Sequence, residues 1–155
     1  MNEEKLVNKL IELDYTIASA ESCTGGMFAS TIINVANASK VINSSIVTYS
    51  NEAKMKYCNV SAETLNNFGA VSIETAREMA VGIANECNSN IGVAISGIAG
   101  PGGGTPNKPV GTVCFGLSIN GEIYSYKKLF AGDRLSVRQQ SVEFAINELI
   151  NLLEK

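Results

Sequence analysis

Residues 91–96, Ile-Gly-Val-Ala-Ile-Ser, form a nearly unbroken apolar run that ends in a loop of glycine and proline. A strand without apolar–polar alternation has no face to offer water, so it belongs in a sheet covered on both sides. Covering both sides takes helices, and the chain supplies them. Residues 3–13 place Leu6, Val7, Leu10, Ile11 and Leu13 mostly on one helical face. A helix over 25–36 carries Phe28, Ile32 and Val35. Ser72 is placed to cap a helix over 73–87, whose Ala76, Met79, Ala80, Ile83, Ala84 and Cys87 keep an i, i+3, i+4 rhythm. Asp133 is placed to cap a last helix running to 153.

Between these lie strand candidates at 15–20 and 41–49, a short helix capped by Ser50 or Asn51, and a turn or short helix over 61–68. Strands over 110–119 and 122–130 flank Asn120-Gly121, a strong signal for a tight antiparallel hairpin. The expected fold is a single α/β domain over residues 1–155. It is a three-layer α/β/α sandwich with a mixed sheet that includes one C-terminal antiparallel hairpin.

What the chain lacks constrains its chemistry: among 155 residues there is no histidine. Ser-His-Asp and Cys-His arrangements are therefore excluded within it, as are histidine-ligated metals. A hydrolase built on this chain needs Lys, Asp, Glu, Tyr or water as its proton acceptor. Cys23, Cys58, Cys87 and Cys114 form no Cys-x-x-Cys pair, so neither a zinc site nor a thioredoxin-like motif is expected. Twelve basic against fifteen acidic side chains give a net charge of −3, which argues against nucleic acid or a membrane surface as partner. The charged start, Met-Asn-Glu-Glu-Lys, is unlike a signal peptide, and no run approaches the roughly 20 apolar residues of a membrane span. A cytoplasmic protein with reduced thiols is expected.

Ala18-Ser-Ala-Glu-Ser-Cys-Thr-Gly-Gly26 leads a strand into a polar turn and then a helix. That turn exposes a side chain beside free amides that suit an oxyanion. Ser22, Cys23 and Thr24 are all nucleophile types, and the plain alternative is a helix cap with small residues. A serine hydroxyl needs a base. With histidine absent, a lysine whose pKa is lowered by burial is the best candidate. Lys54 in Thr48-Tyr-Ser-Asn-Glu-Ala-Lys54 lies a turn into the helix after a strand, with Tyr49 placed to donate a hydrogen bond or orient it. An isolated helical lysine is ordinarily solvated.

The loop Ser96-Gly-Ile-Ala-Gly-Pro-Gly-Gly-Gly-Thr105 turns backbone amides outward, which suits a phosphate or carboxylate as well as plain flexibility. It is neither a Walker loop nor a dinucleotide fingerprint. In the last helix the apolar stripe, extended backward, reaches Gln139, Arg138, Leu135 and Arg134. Two inward arginines there suit a bound anion or a salt bridge to Asp133 or Glu143.

At these residues the sequence resembles a known family. AESCTGG, TYSNEAK, GAVS, SGIAGPGGGTPNKPVGTV and GDR…VR are similar, in order and across essentially the whole chain, to the CinA C-terminal domain family. Its characterised enzymes are nicotinamide-nucleotide amidases of the PncC type. The resemblance implies metal-free, cofactor-free hydrolysis of nicotinamide mononucleotide to nicotinate mononucleotide and ammonia, in pyridine-nucleotide salvage, by a Ser-Lys mechanism. Ser22 would be the nucleophile, Lys54 the base and Tyr49 a supporting hydroxyl. Glu21, Thr24, Gly25 and Gly26 would lie at the substrate, as would Ser39, Ser96, Gly97, Gly100, Gly102 and Gly103. Arg134 and Arg138 would meet its phosphate or carboxamide end. Where the family usually has Gly-Ser-Ser, this chain reads Asn37-Ala38-Ser39. Many relatives carry the domain behind a molybdopterin-binding-like one, so the stand-alone form is expected here, and the family suggests a homodimer. The alternatives are a nucleotide-binding or regulatory module without catalysis, and an enzyme using Cys23.

Overall fold

The computed structural model describes residues 1–155. In chain order it forms α1 (Glu3–Leu13), β1 (Ile17–Glu21), α2 (Met27–Ile33), β2 (Ile42–Val47), α3 (Asn51–Cys58) and α4 (Ala62–Phe68). There follow α5 (Ile73–Glu86), β3 (Ile91–Gly97), β4 (Thr112–Ile119), β5 (Glu122–Leu129) and α6 (Arg134–Leu153). The strands build one sheet in the order β2-β1-β3-β4-β5. β1 runs parallel to β2 and β3, whereas β4 is antiparallel to β3 and β5. The mixed sheet and its hairpin are as the sequence predicts. Asn120 and Gly121 turn with φ of 48° and 90°, the left-handed pair a two-residue type I′ turn requires.

The two-residue period of the inner strands sorts large and small side chains to opposite faces. Ile17, Val93 and Ile95 meet Leu6 and Leu10 of α1, Phe28 and Ile32 of α2, and Val142 and Ile146 of α6. The alternate residues Ala18, Ala20 and Ala94 meet Met79, Ala80 and Ile83 of α5, together with Cys58 and Leu65. On this second face α5 comes unusually close. A Cβ on Gly92 would lie 2.0 Å from the Ala80 carbonyl oxygen, and one on Gly116 would lie 2.1 Å from that of Ala76. Ser50, Ser72 and Asp133 cap α3, α5 and α6 through their side chains, as their positions predict.

Two boundaries differ in ways that matter for the site. The helix expected over 25–36 is only Met27–Ile33, because Gly25 and Gly26 sit in a turn with φ of 56° and 99°. The first strand extends to Glu21, which pairs with both Val47 and Ile95. The parallel register therefore gathers the C-terminal ends of β1, β2 and β3 at one edge, where α/β sheets present ligand sites. The segments leaving those ends carry Ser22, Lys54 and the glycine-rich loop. No helix is long and apolar enough to cross a membrane.

Candidate active site

Ser22 continues β1 by one residue, its amide donating to Ile95 O at 2.9 Å. Behind it the turn closes through Gly25 N to Ser22 O at 3.1 Å and Met27 N to Thr24 O at 2.9 Å. Glu21 has no solvent exposure. Its Oε1 accepts from the amides of Gly26 (3.2 Å) and Phe28 (2.8 Å), and its Oε2 from that of Ala29 (3.1 Å). The hydroxyls of Ser19 (3.1 Å) and Ser45 (3.3 Å) also donate to Oε2. The sequence placed Glu21 at the substrate, but its carboxylate is filled by the protein's own donors. The amides near 23–26 are likewise not all open. Gly25 and Gly26 have intramolecular acceptors, whereas those of Cys23 and Thr24 have no backbone acceptor; Thr24 is fully buried, which leaves the Cys23 amide as the one nearer the surface.

Lys54 is 1% exposed, so the ordinary fate of a helical lysine does not apply. Its Nζ stands 3.4 Å from Ser22 Oγ, and it donates to the carbonyls of Thr48 (2.8 Å) and Tyr49 (3.4 Å). Burial pushes its pKa down from 10.5. A neutral amine has two N–H bonds and one lone pair. In the neutral form the two carbonyls would take the N–H bonds and leave the lone pair for the serine hydroxyl. Tyr49 orients the lysine through its backbone, while the residue is 63% exposed and its hydroxyl accepts from Arg134 at 3.4 Å. Thr48 enters through a main-chain carbonyl that no residue pattern announces.

Neither arginine forms the expected salt bridge, and only Arg134 keeps an open guanidinium that suits an anion. Arg138 donates from Nε to Cys23 O (2.9 Å) and from Nη2 to Thr24 O (3.1 Å), clamping the turn after Ser22. Arg134 donates to Gly100 O (2.7 Å) and keeps an exposed guanidinium beside Tyr49. Neither pairs with Asp133, which caps α6, nor with exposed Glu143. The buried stripe of α6 runs through Val137, not Leu135, which is 51% exposed. The two arginines thus flank the stripe instead of lying on it.

The glycine-rich loop divides. Ser96 is buried and donates to Ala70 O at 2.8 Å, tying β3 to the segment before α5. Gly97 packs against Val113 and Gly100 against Val110. Gly102 and Gly103 are exposed at the tip and remain free for a ligand. Ser39 falls elsewhere. The register sets Ile42 beside Ile17 and Val47 beside Glu21, so a residue just before β2 stands at the opposite end of the sheet from Ser22. Burial pushes the Cys23 thiol up to about 11, which keeps it protonated at neutral pH and weakens the cysteine alternative. No three His, Cys, Asp or Glu side chains gather as a metal site. A cavity of about 670 Å³ lies between α3 and α5 and includes neither Ser22 nor Lys54.

Known proteins share this arrangement of sequence and fold. The family model described as the CinA C-terminal domain matches residues 1–153. A putative competence-damage inducible protein of Alkaliphilus metalliredigens is 49% identical over 153 residues, covering 99% of this chain and 37% of that protein. A CinA-like protein of Kosmotoga olearia is 53% identical over 145 residues, covering 94% of this chain and 35% of that protein. The chain therefore spans little more than a third of the length of these curated relatives. The crystal structure of a competence or damage-inducible protein from Enterobacter asburiae superposes with a TM-score of 0.94 at 40% identity, covering 97% of this chain and 95% of that one. That of a CinA superfamily protein from Klebsiella pneumoniae gives 0.95 at 37% identity, covering 98% and 95%.

Proposed function

The chain belongs to the CinA C-terminal domain family, and on that premise we propose that it is an amidohydrolase converting nicotinamide mononucleotide to nicotinate mononucleotide and ammonia. The observation that carries the chemistry is the buried Lys54 amine 3.4 Å from Ser22 Oγ, with two carbonyls taking its N–H bonds. The nucleotide as substrate rests on the family resemblance. We place the protein in cytoplasmic pyridine-nucleotide salvage, as a homodimer acting on this small molecule without a cofactor.

Neutral Lys54 takes the Ser22 hydroxyl proton as Oγ bonds to the carboxamide carbon. The carbonyl π pair moves onto oxygen, where the Cys23 amide in the turn behind Ser22 receives the charge. On collapse the C–N bond breaks, and the proton on Lys54 goes to the leaving nitrogen, releasing ammonia and leaving an ester on Ser22. Water then gives a proton to Lys54 and attacks the ester. The Ser22 oxygen departs with that proton, which restores the starting state. Arg134, Gly102 and Gly103 are the cation and the open amides placed to hold the substrate's anionic end.

Ammonia release from nicotinamide mononucleotide by the purified chain, with and without a chelator, tests this reading. Activity insensitive to chelator is expected, and Ser22→Ala lowers kcat by at least about 10³-fold. A Ser22→Ala protein that kept full activity would remove the serine as nucleophile. Absence of ammonia from the wild-type protein would favour the non-catalytic binding module.

A further inference from the structure

Glu21 is a fully buried carboxylate that the steps above never use. No lysine or arginine pairs with it. Its partners are three backbone amides of the turn and first residues of α2, together with hydroxyls from β1 and β2. The residue in the capping position of α2, Gly26, has φ of 99° and no side chain to satisfy those amides. A carboxylate reaching forward from the strand does that work instead. Its two oxygens join three elements, and Ser19 and Ser45 sit opposite each other in the β1–β2 ladder with their hydroxyls in mutual contact.

The consequence falls on Ser22, the next residue. Because Glu21 is fixed at both ends of its side chain, the backbone between strand and helix is fixed as well. The amides it consumes are those of Gly26, Phe28 and Ala29, and the amides left unsatisfied are those of Cys23 and Thr24. We propose that Glu21 is a positioning residue, acting as a carboxylate that fixes the turn carrying the Cys23 amide and holds Ser22 Oγ at Lys54. This rests on the reading of Ser22 as nucleophile. A group that acts only in shaping the transition state changes kcat and leaves substrate binding alone, whereas a substrate contact raises KM.

The test compares wild type, Glu21→Gln and the double variant Ser19→Ala/Ser45→Ala in three measurements. These are kcat and KM for ammonia release, the rate at which a fluorophosphonate labels Ser22, and the thermal midpoint. Glu21→Gln keeps the shape but places an N–H donor among donors. It is expected to lower kcat roughly 10- to 100-fold, and the labelling rate in step, with KM within about twofold. The double variant leaves the carboxylate in place without two of its anchors, and an intermediate loss of about 3- to 10-fold in both rates is expected. It also keeps the inference testable if Glu21→Gln does not fold. Rates within twofold of wild type in the folded variants overturn the inference, and so does a raised KM at unchanged kcat, which would make Glu21 a substrate contact. A wild type whose Ser22 is labelled but which releases no ammonia contradicts the substrate, and the labelling rates still decide Glu21. A wild type whose Ser22 is never labelled overturns the nucleophile and this inference together.

Discussion

Two glycine-rich turns leave neighbouring strands of one sheet, and they are built in opposite ways. In the turn after β1, Glu21 is filled with donors, Arg138 grips two carbonyls, and Ser22 is nearly buried. In the loop after β3, only the base is packed, through Ser96 and Gly100, while residues 101–107 stand in solvent. Glycine serves different ends in the two. Gly25 and Gly26 take left-handed conformations inside a rigid frame, whereas a Cβ on Gly102 would meet nothing within 4 Å. Making and breaking bonds needs a nucleophile held to a fraction of an ångström. Gripping a substrate end tolerates an adaptable tip. One turn of α6 serves both regions, with Arg138 on the rigid turn and Arg134 on the open loop.

The sharpest break in this contrast comes from the rigid side. Lys54→Met is expected to lower kcat/KM by about 10²- to 10⁴-fold near neutrality, read as ammonia release. The same variant carries a stability signature. Folded Lys54 loses its proton below the 10.5 of an ordinary lysine, so above its folded pKa the unfolded chain binds more protons and wild-type stability rises with pH. The wild-type thermal midpoint should therefore gain on that of Lys54→Met as pH climbs toward 10.5, and a constant difference would contradict a buried neutral amine.

A smaller effect separates the arginines. An ammonium cannot span the two carbonyls that Arg138 holds, so Arg138→Lys should lower kcat about tenfold with little change in KM. Arg134→Lys should instead raise KM several-fold at nearly constant kcat. The reverse pattern would exchange the roles of the two regions. Smallest is the glycine pair. Gly25→Ala should destabilise by about 1 kcal/mol through its φ of 56°, and lower kcat as the turn shifts. Gly102→Ala, with open space around it, should leave stability and kcat within error. Equal responses would erase the distinction between a rigid turn and an open tip.

The parts of this structure legible in the sequence are those that repeat or punctuate. The rhythm of Ala76, Met79, Ala80 and Ile83 marks α5, and Asn120-Gly121 marks the hairpin, because periodicity and left-handed turns leave direct residue signals. Ser22 and Lys54 were legible as a pair because each follows the C-terminal end of a strand, and parallel neighbours share that end. What stayed hidden depends on main-chain atoms or on register. Glu21 reads as a polar site residue until its partners prove to be amides five to eight residues further on. Arg138 reads as an anion ligand until its acceptors prove to be carbonyls. Ser39 reads as near the site until the pairing of Ile42 with Ile17 sends it to the far end.

The dependence of kcat/KM on pH for the wild-type chain puts the neutral amine at Lys54 to the most direct trial, since it reports the ionisation of the free enzyme. A rise to a plateau reached below pH 10.5 is expected, with that ionisation missing from the residual activity of Lys54→Met. A rate still climbing in proportion to hydroxide up to pH 10.5 would mean that the lysine keeps its proton in the free enzyme, and Ser22 would be left without a base.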